Sequence, residues 1–268
     1  MYKIIAIDLD GTLLDNEKRI SKINQEAIID AQQNGAMVVL ATGRPLTGIK
    51  KYFEELHFKD DTYAINFNGG LISSVDGKHI IKCDCLNGDD AKEIYDLSLK
   101  LGVNIHAFDI DQNCISPKES RWTIHEVTLN DIPLIIKDFN TLTKKDEIIK
   151  IMLVDDPEVL SEAIKKIPQR FKEKYNIVQS APFFLEFLNK KTDKWYGIVN
   201  LAKHLNVSLD EIMTFGDSEN DLLMVKECKM GVAMANATKD VLDVASYICE
   251  SNIDSGVGKT INKYVNKK

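Results

Sequence analysis

The segment KIIAIDLDGTLLDN, residues 3–16, joins a nearly continuous apolar run to two aspartates that are separated by one leucine. Its first part, KIIAID (3–8), has the composition of a parallel β-strand that is covered on both faces. Asp8 closes this strand, and Asp10 follows directly after it. Because a buried carboxylate without a partner is costly, we expect other groups to compensate this pair of acids.

The chain around this segment alternates between strand and helix patterns. Ser21 stands at the N-cap position of the first helix, and Gly35 lies just beyond its C-terminus, as both residue types favour. Alternation of this kind predicts an α/β fold with a Rossmann-like, doubly wound parallel sheet. In this part of the chain we predict strands at 3–8, 36–41 and 63–67, and helices at 22–34 and from Pro45 to about Leu56.

The pattern changes after residue 70, where strand candidates become frequent and irregular. Asp76-Gly77 stands between two β-prone runs and predicts a hairpin. The strand-rich stretch predicts an inserted α+β domain over 83–189, between two halves of an α/β domain, 1–82 and 190–268. Within the insert we predict strands at 103–108, 113–116, 148–154, 176–180 and 183–188, and helices at 89–101, ended by Gly102, and at 157–166. After it we predict strands at 212–216 and 230–234, and helices at 195–205, near 220, at 238–245 and at 257–264.

The overall composition is that of a soluble globular protein. Of the 268 residues, 44% are hydrophobic and 28% are charged, and the formal net charge is -7. This acidic balance lacks the broad basic face of a nucleic-acid-binding protein, and no apolar run approaches the roughly 20 residues that span a bilayer. The N-terminus leaves no room for a signal peptide before Asp8. We therefore expect a cytoplasmic protein without nucleic-acid or membrane partners, whose five scattered cysteines are reduced.

Residues that could carry chemistry cluster where predicted strands end or helices begin. In open α/β sheets, ligands bind beyond the carboxyl ends of the parallel strands. Taken singly, most clusters have an ordinary explanation, since Asp and Gly form turns, Thr42 could cap a helix and Lys194 could be a solvated lysine. Capping does not readily explain all the acids of GDSEND (216–221). The clusters are Asp8–Thr12, Ala41–Pro45, Lys194 and Phe215–Asp221.

Together these clusters predict a metal-assisted phosphate site. Asp8, Asp10 and Asp217 supply the hard oxygen ligands that suit Mg2+. A bound magnesium ion would offset the repulsion between these carboxylates and a dianionic substrate, which would make the buried acids tolerable. The groups that could hold the phosphate are Thr42, the backbone amides after it, Lys194 and Asn220.

The motifs DLDGT, ATGR, a lysine and GDSEND occur in this order, and they resemble the four motifs of the haloacid dehalogenase superfamily of phosphotransferases. More narrowly, the chain is similar to the Cof-type sugar-phosphatase branch, through DLDGTLL, ATGRP, the NGG at 68–70, GDSENDLLM, GVAMANA and SNIDSGV. The similarity covers the whole chain, with a looser match in the insert. That branch carries a type IIB cap between its second and third motifs, so the resemblance implies that 83–189 is a cap that selects the substrate and that the rest is the catalytic core.

The resemblance also implies a role for each matched residue. Asp8 would attack phosphorus and become a transient aspartyl-phosphate, and Asp10 would protonate the leaving alcohol and then activate water. Mg2+ would be held by the Asp8 side chain, the Asp10 backbone carbonyl and Asp217. Lys194 would neutralise charge on the phosphoryl group, which makes it catalytic as well as phosphate-binding. The remaining phosphate-binding residues would be Leu9, Thr42, Gly43 and Asn220, with Thr12, Arg44, Ser218 and Asp221 in support.

We therefore expect a Mg2+-dependent phosphatase of small phosphorylated metabolites, with sugar phosphates as the first substrate class and phosphorylated cofactors such as pyridoxal phosphate or flavin mononucleotide as the next. A phosphotransferase or mutase that passes the phosphoryl group to a sugar would use the same four motifs. A regulator that binds a phosphorylated metabolite without turnover would have no need of the acid at position 10. The sequence does not indicate an oligomeric state.

One position departs from the branch. Its members usually have glycine after the catalytic lysine, in a T-x-K-G pattern, whereas Thr192-Asp193-Lys194 is followed here by Trp195. Lys194 still fits its role, because it precedes a predicted helix and lies 23 residues before Asp217 of the GDSEND motif. The indole of Trp195 is expected either to pack against the cap or to narrow the entrance to the site.

Overall fold

The computed structural model describes residues 2–267, which form two compact units. The first unit comprises the chain up to Gly43, Lys50–Lys82 and the chain from Asp193 onward. The second unit comprises Arg44–Ile49 and Cys83–Thr192. The sequence places the corresponding boundaries after residues 82 and 189, and the assignment of the units as catalytic core and cap stays a prediction.

The elements of the described residues are as follows. The strands are β1 (Ile4–Ile7), β2 (Met37–Ala41), β3 (Tyr63–Asn66), β4 (Leu71–Ser74), β5 (Ile80–Cys83), β6 (Leu86–Asn87), β7 (Asn104–Asp109), β8 (Cys114–Ser116), β9 (Leu134–Ile136), β10 (Glu147–Val154), β11 (Tyr175–Ala181), β12 (Phe184–Asn189), β13 (Ile212–Gly216), β14 (Met230–Ala233) and β15 (Tyr247–Ile248). The α-helices are α1 (Lys22–Gln33), α2 (Lys50–Glu55), α3 (Gly88–Leu101), α4 (Arg121–Asn130), α5 (Pro157–Lys165), α6 (Gln169–Lys174), α7 (Lys194–Leu205), α8 (Leu222–Glu227), α9 (Lys239–Val244) and α10 (Gly256–Ile261). Short 3-10 turns lie at Thr47–Ile49, Phe67–Gly69, Phe139–Thr141, Leu209–Glu211, Glu219–Asp221 and Asn252–Asp254, and a π-helical turn lies at Asn262–Asn266.

The sheet of the first unit has the strand order β15-β14-β13-β1-β2-β3-β4-β5. Neighbouring strands from β15 to β3 run parallel, and β3 and β4 are antiparallel. All residues of β1 are buried, as its apolar run predicts for a strand inside a parallel sheet. This confirms the expected α/β fold. It also places the carboxyl end of β1 between those of β2 and β13.

The sheet of the second unit has the order β11-β12-β10-β7-β8-β9, and β6 pairs with β10. Its pairs are antiparallel apart from β8 with β9. Alternate strand residues such as Ile105, Ile151 and Phe187 join side chains of α3, α5 and α6 in one hydrophobic core. The period-2 alternation of these strands therefore produces one core-facing side of an α+β unit, as expected.

Two local predictions are confirmed by the backbone. At the Asp76-Gly77 turn, Gly77 has a φ of 73°, and the Ser74 amide donates to the His79 carbonyl at 2.8 Å. At the end of α3, Gly102 adopts the left-handed conformation and closes the helix. In both places the sequence signal is a residue that tolerates a positive φ.

Other predictions of elements are wrong. Pro45 does not open a helix: the 3-10 turn begins at Thr47 and α2 at Lys50. Residues 44–49 instead pack within the second unit, where the Leu46 amide donates to Gln112 Oε1 at 3.0 Å. Helix α4 was not predicted, because its buried side chains are polar and leave no apolar stripe: Thr123, Glu126 and Asn130.

The cysteines differ partly from the prediction. Cys83 and Cys85 form a disulfide, so the prediction of reduced thiols is wrong for this pair. Their Cα atoms lie 5.4 Å apart, within the range that a disulfide spans. Cys114, Cys228 and Cys249 are free and buried. Over residues 2–267, no helix is both long and apolar enough to cross a membrane.

A charged group in the second unit links α3 to the end of α6. Lys174 Nζ lies 2.8 Å from Asp90 Oδ1 and 2.8 Å from Glu93 Oε2, and the Tyr175 hydroxyl donates to Asp90 at 2.9 Å. Burial raises the pKa of Asp90, but hydrogen bonds, led by that from Lys174, outweigh burial and hold its pKa below the usual range. The pKa of Glu93 is lowered chiefly by its hydrogen bond from Lys174.

We predict that Lys174→Met lowers the free energy of unfolding by about 1 kcal/mol at pH 7, because the Lys174 side chain is half exposed and solvent screens the pair. A carboxyl group with a lowered pKa stabilises the fold above its unfolded pKa, about 4, and that contribution is lost as pH falls through the lowered folded value. The difference from wild type should therefore shrink at pH 3. Urea unfolding at both pH values measures it, with the exposed Lys172→Met on the same helix as control. An equal loss at pH 7 and pH 3 would contradict the assignment.

Candidate active site

Two neighbouring strands place two buried acids at one edge of the first sheet. Asp8 follows β1, and its amide donates to the Phe215 carbonyl at 3.0 Å, which extends the pairing with β13. Asp217 follows β13. Because carboxyl ends of parallel strands meet at the same edge, Asp8 and Asp217 lie close together although they are distant in sequence.

The first residue of α7 supplies a buried cation to this edge. Lys194 Nζ lies 2.5 Å from Asp8 Oδ1 and 2.7 Å from Asp221 Oδ1, and the lysine has no exposed surface. Asp193 caps the helix with its side chain. Gly69, with a φ of 95°, allows the start of α7 to come close, since a Cβ there would lie 2.1 Å from the Asp193 carbonyl oxygen.

The loop after β13 is fixed by hydrogen bonds to its own acids. Asp221 Oδ2 accepts from the amides of Asp217 at 3.0 Å and Ser218 at 3.1 Å. The Asp217 carboxylate accepts from the hydroxyls of Thr12 and Ser218, both at 2.8 Å. Gly11 has a φ of 88°, and a Cβ on it would lie 2.5 Å from Asp217 Oδ2. Thr12, Ser218 and Asp221 therefore hold the carboxylates in place.

The loop after β2 lies beside Asn68, which is not among the site residues predicted from the sequence. The backbone amide of Asn68 donates to the Thr42 carbonyl at 2.9 Å, and the side-chain Oδ1 of Asn68 accepts from Asn220 Nδ2 at 3.0 Å. A Cβ on Gly43 would lie 3.2 Å from the Asn68 side chain. Asn68 thus brings the Thr42-Gly43 loop and Asn220 together. The sequence feature that could have indicated Asn68 is its place before two glycines. Asn68 adopts a φ of 53°, a backbone conformation that asparagine tolerates.

Three carboxylates form a group that we call the acid cluster: Asp8, Asp217 and Asp221. One oxygen from each lies within 4.8 Å of the others, and all three residues are buried. The ammonium of Lys194 balances one of them, so two negative charges remain when all three are ionised. Carboxylates with an excess of two charges suit a hard divalent cation. The donor set of the acid cluster therefore fits a divalent metal ion.

Electrostatics support the same conclusion. Burial raises the pKa of Asp8 well above its usual value, and Asp221 raises it further against the opposing effect of Lys194. Burial likewise raises the pKa of Asp217, which the hydrogen bond from Thr12 opposes. Burial alone would lower the pKa of Lys194, but Asp221 and Asp8 raise it, so the ammonium stays charged. A cation in the acid cluster would favour the ionised acids.

Three predicted site residues differ in position from the rest, and Trp195 is described with them. The Asp10 side chain is 39% exposed, lies 2.6 Å from Lys18 Nζ and is not part of the acid cluster. The Leu9 side chain is fully buried. Arg44 is grouped with the second unit. Trp195 packs, partly buried, against the hydrophobic core of its own unit, and glycine is not required there.

Comparison with known proteins identifies one family, the haloacid dehalogenase-like hydrolases. The family model for haloacid dehalogenase-like hydrolases matches residues 5–261. A protein of Streptococcus pyogenes with a provisional phosphatase name is 40% identical, over 98% of each chain. The 5-amino-6-(5-phospho-D-ribitylamino)uracil phosphatase YcsE of Bacillus subtilis is 30% identical, over 98% of this chain and 96% of its own. A haloacid dehalogenase-like hydrolase of Bacteroides thetaiotaomicron has a TM-score of 0.86 at 30% identity, over 98% and 99% of the chains. The HAD subclass IIB sugar phosphatase BT4131 has a TM-score of 0.80 at 25% identity, over 98% of each chain.

We predict that Lys194→Met lowers the free energy of unfolding by about 3–5 kcal/mol at pH 7.5, because it leaves buried carboxylates without their cation. Protonation of an acid whose pKa is raised removes that charge, so the loss should be smaller at pH 5. Urea unfolding at both pH values tests this, and Lys203→Met on the exposed side of α7 is the matched control. A loss no greater than that of the control would show that the buried ion pairs contribute little.

Proposed function

Because the chain belongs to the haloacid dehalogenase-like hydrolases and is a phosphatase of phosphorylated substrates, we propose that it hydrolyses small phosphomonoesters with Mg2+ through an aspartyl-phosphate at Asp8. One observation carries the proposal. A buried carboxylate at the end of the central strand, Asp8, meets the buried ammonium of Lys194 and the neighbouring carboxylate of Asp217. This arrangement supplies a nucleophile, a fixed positive charge and a metal ligand at one point.

In the first step, an oxygen of Asp8 attacks phosphorus, and the bond from phosphorus to the leaving oxygen breaks. A carboxylate is a weak nucleophile, so the rate depends on in-line positioning and on charge stabilisation. Lys194 provides both, because it holds one oxygen of Asp8 and places a charge beside the transferring group. Asp10 gives its proton to the leaving oxygen, which departs as an alcohol.

In the second step, water attacks the phosphorus of the aspartyl-phosphate. Asp10, now a carboxylate, takes a proton from this water, and the bond from phosphorus to Asp8 breaks to release inorganic phosphate. The same side chain thus acts first as acid and then as base. The partial exposure of Asp10 supports this role, since both alcohol and water must reach it.

The phosphoryl oxygens would be held by groups around the acid cluster. The hydroxyl of Thr42, the amide of Gly43 and the side-chain amide of Asn220 are the candidates, along with the Leu9 backbone amide. Asn68 contributes indirectly, because its contacts with the Thr42 carbonyl and Asn220 fix two of these groups relative to each other. Arg44 follows this loop directly in the chain, and its supporting role stays a prediction of the sequence.

Mg2+ would be held by the side chains of Asp8 and Asp217 and the backbone carbonyl of Asp10. When bound, the ion would neutralise carboxylate charge and charge on the phosphoryl group. The support for this set is the excess negative charge of the acid cluster and its oxygen-only chemistry. Asp221 is already committed to Lys194 and to two backbone amides, which fits a supporting role outside the ligand set.

Sugar phosphates and sugar-alcohol phosphates are the substrate class we propose first. The support comes from the relatives, since BT4131 is a sugar phosphatase and the name of the B. subtilis enzyme specifies a phosphoribityl substrate. We assign the choice among such substrates to the second unit, as the sequence predicts for a cap. A cytoplasmic location stays a prediction of the sequence.

We predict that Asp8→Asn lowers kcat for 4-nitrophenyl phosphate by at least about 1,000-fold, because the amide cannot form the aspartyl-phosphate. Release of inorganic phosphate is the measurement, without any added acceptor. Asp210→Asn, at an exposed acid of the same unit, is the control and should leave kcat unchanged. Full activity in Asp8→Asn would disprove the proposed mechanism.

Removal of divalent metal with EDTA should abolish phosphate release, and added Mg2+ should restore it, because the acid cluster needs a cation to accept a dianion. Asp217→Asn should raise the Mg2+ concentration for half-maximal activity by about 10- to 100-fold. Glu219→Gln, two residues along and exposed, should leave that concentration unchanged. Activity that survives complete metal removal would contradict the metal assignment.

A further inference from the structure

The side chain of Asp10 has a partner that the mechanism above does not use. Lys18 Nζ lies 2.6 Å from Asp10 Oδ1, and the two side chains are 53% and 39% exposed. The other carboxylates of the site are buried. Asp8 and Asp221 contact Lys194, and Asp217 accepts hydrogen bonds from the hydroxyls of Thr12 and Ser218. Asp10 is therefore the acid of this site that is held from the solvent side.

Lys18 reaches Asp10 from a turn that is itself fixed. The Asp15 amide donates to the Arg19 carbonyl, and the Lys18 amide donates to the Asp15 carbonyl, both at 3.0 Å. The Asp15 carboxylate accepts from the Glu17 amide at 2.8 Å and from the Arg19 amide at 3.0 Å. These bonds close a compact turn whose tip carries Lys18.

The turn is also anchored to the body of the first unit. The hydroxyl of Tyr52, a buried residue of α2, donates to the Lys18 carbonyl at 3.3 Å. Leu14 pairs with both Asp10 and Ile20 through isolated bridges, so the segment that leaves Asp10 returns beside it. The backbone position of Lys18 is thus set by contacts on both sides of the turn, which places its side chain within reach of Asp10.

Lys18 adopts a φ of 61°, which is unusual for a residue other than glycine. A lysine held in the left-handed region costs conformational free energy, whereas an exposed ion pair returns little stability. Stability therefore does not explain why this turn directs a lysine at Asp10. Local strain of this kind is commonly retained at functional sites.

We propose that Lys18 is a positioning residue for Asp10, a role that rests on the proposed phosphatase function. Its ammonium holds Oδ1 of Asp10, which directs Oδ2 toward the leaving oxygen of the substrate. As the bond between phosphorus and this oxygen breaks, the proton on Oδ2 passes to the oxygen, and an alcohol leaves. The carboxylate of Asp10, which Lys18 still holds, then accepts a proton from the attacking water.

The proposal predicts an effect that depends on the leaving group. A nitrophenolate departs without a proton, whereas a benzyl alkoxide needs one, so only the second requires a well-placed Asp10. Lys18→Met should lower kcat/KM for benzyl phosphate by about 10-fold and that for 4-nitrophenyl phosphate by less than about 2-fold. Lys18→Arg should restore most of the loss, because it keeps a cation at the tip of the turn.

Lys22→Met is the matched control, since Lys22 is exposed in the same region and pairs with Glu26 at 3.7 Å. It should leave both kcat/KM values unchanged. In an Asp10→Asn background, Lys18→Met should add no further leaving-group effect, because the group that it positions is already absent. This second comparison also separates positioning from any general effect of the substitution on folding.

Two results would overturn the proposal. One is an equal loss on both substrates, which would indicate a structural or binding role for Lys18. The other is no loss on either substrate, which would indicate an incidental surface pair. Failure of the proposed function is distinguishable from both, because wild-type protein would then release no phosphate from either ester, or Asp8→Asn would remain active.

Discussion

The site depends on one buried ammonium group. Lys194 lies between Asp8 and Asp221, and each of these acids belongs to a different part of the chain. Without the cation, the end of β1 and the loop after β13 would bring buried carboxylates together with nothing between them, at a cost of several kcal/mol. The helix that carries Lys194 must therefore begin at this point, and Gly69 is the residue that leaves space for it.

The same group shows a conflict between stability and function. A fully compensated core would contain as many cations as anions, yet the three carboxylates of the acid cluster have one lysine beside them. Burial is the main cause that raises the pKa values of Asp8 and Asp217, and the neighbouring carboxylate of Asp221 raises both further. Natural proteins keep such imbalances at sites where a ligand supplies the missing charge. The uncompensated charge is thus better understood as a binding feature than as a defect of the fold.

The sequence predicted what depends on local pattern. The apolar run of β1, the Asp76-Gly77 turn and the Gly102 helix end each follow from the residues themselves, and the structure confirms them. Asp8 and Asp217 come together because they follow neighbouring parallel strands, which the alternation of elements already implied.

What the sequence did not predict depends on partners that are distant in the chain or on polar burial. Helix α4 buries Thr123, Glu126 and Asn130, so hydrophobic periodicity could not reveal it. The asparagine before two glycines indicates the backbone conformation of Asn68, but no local signal identifies its contact with Asn220. The contact between Lys18 and Asp10 likewise depends on how the turn between them folds. The Cys83–Cys85 bond likewise depends on the local path of the backbone, which composition does not specify.

The position of β1 between β2 and β13 has a consequence for synthesis on the ribosome. Thr12 and Asp217, which share a hydrogen bond, are 205 positions apart, so a ribosome adding about 5–20 residues per second needs on the order of 10 to 40 s between them. Once β2 has been made, β1 can pair with it on one side, but its other side has no partner until β13 has been made. Open edges of this kind promote association between chains. When β13 pairs with β1, it closes that open side and also brings Asp217 beside Asp8, so one pairing event both protects the strand and assembles the acid cluster.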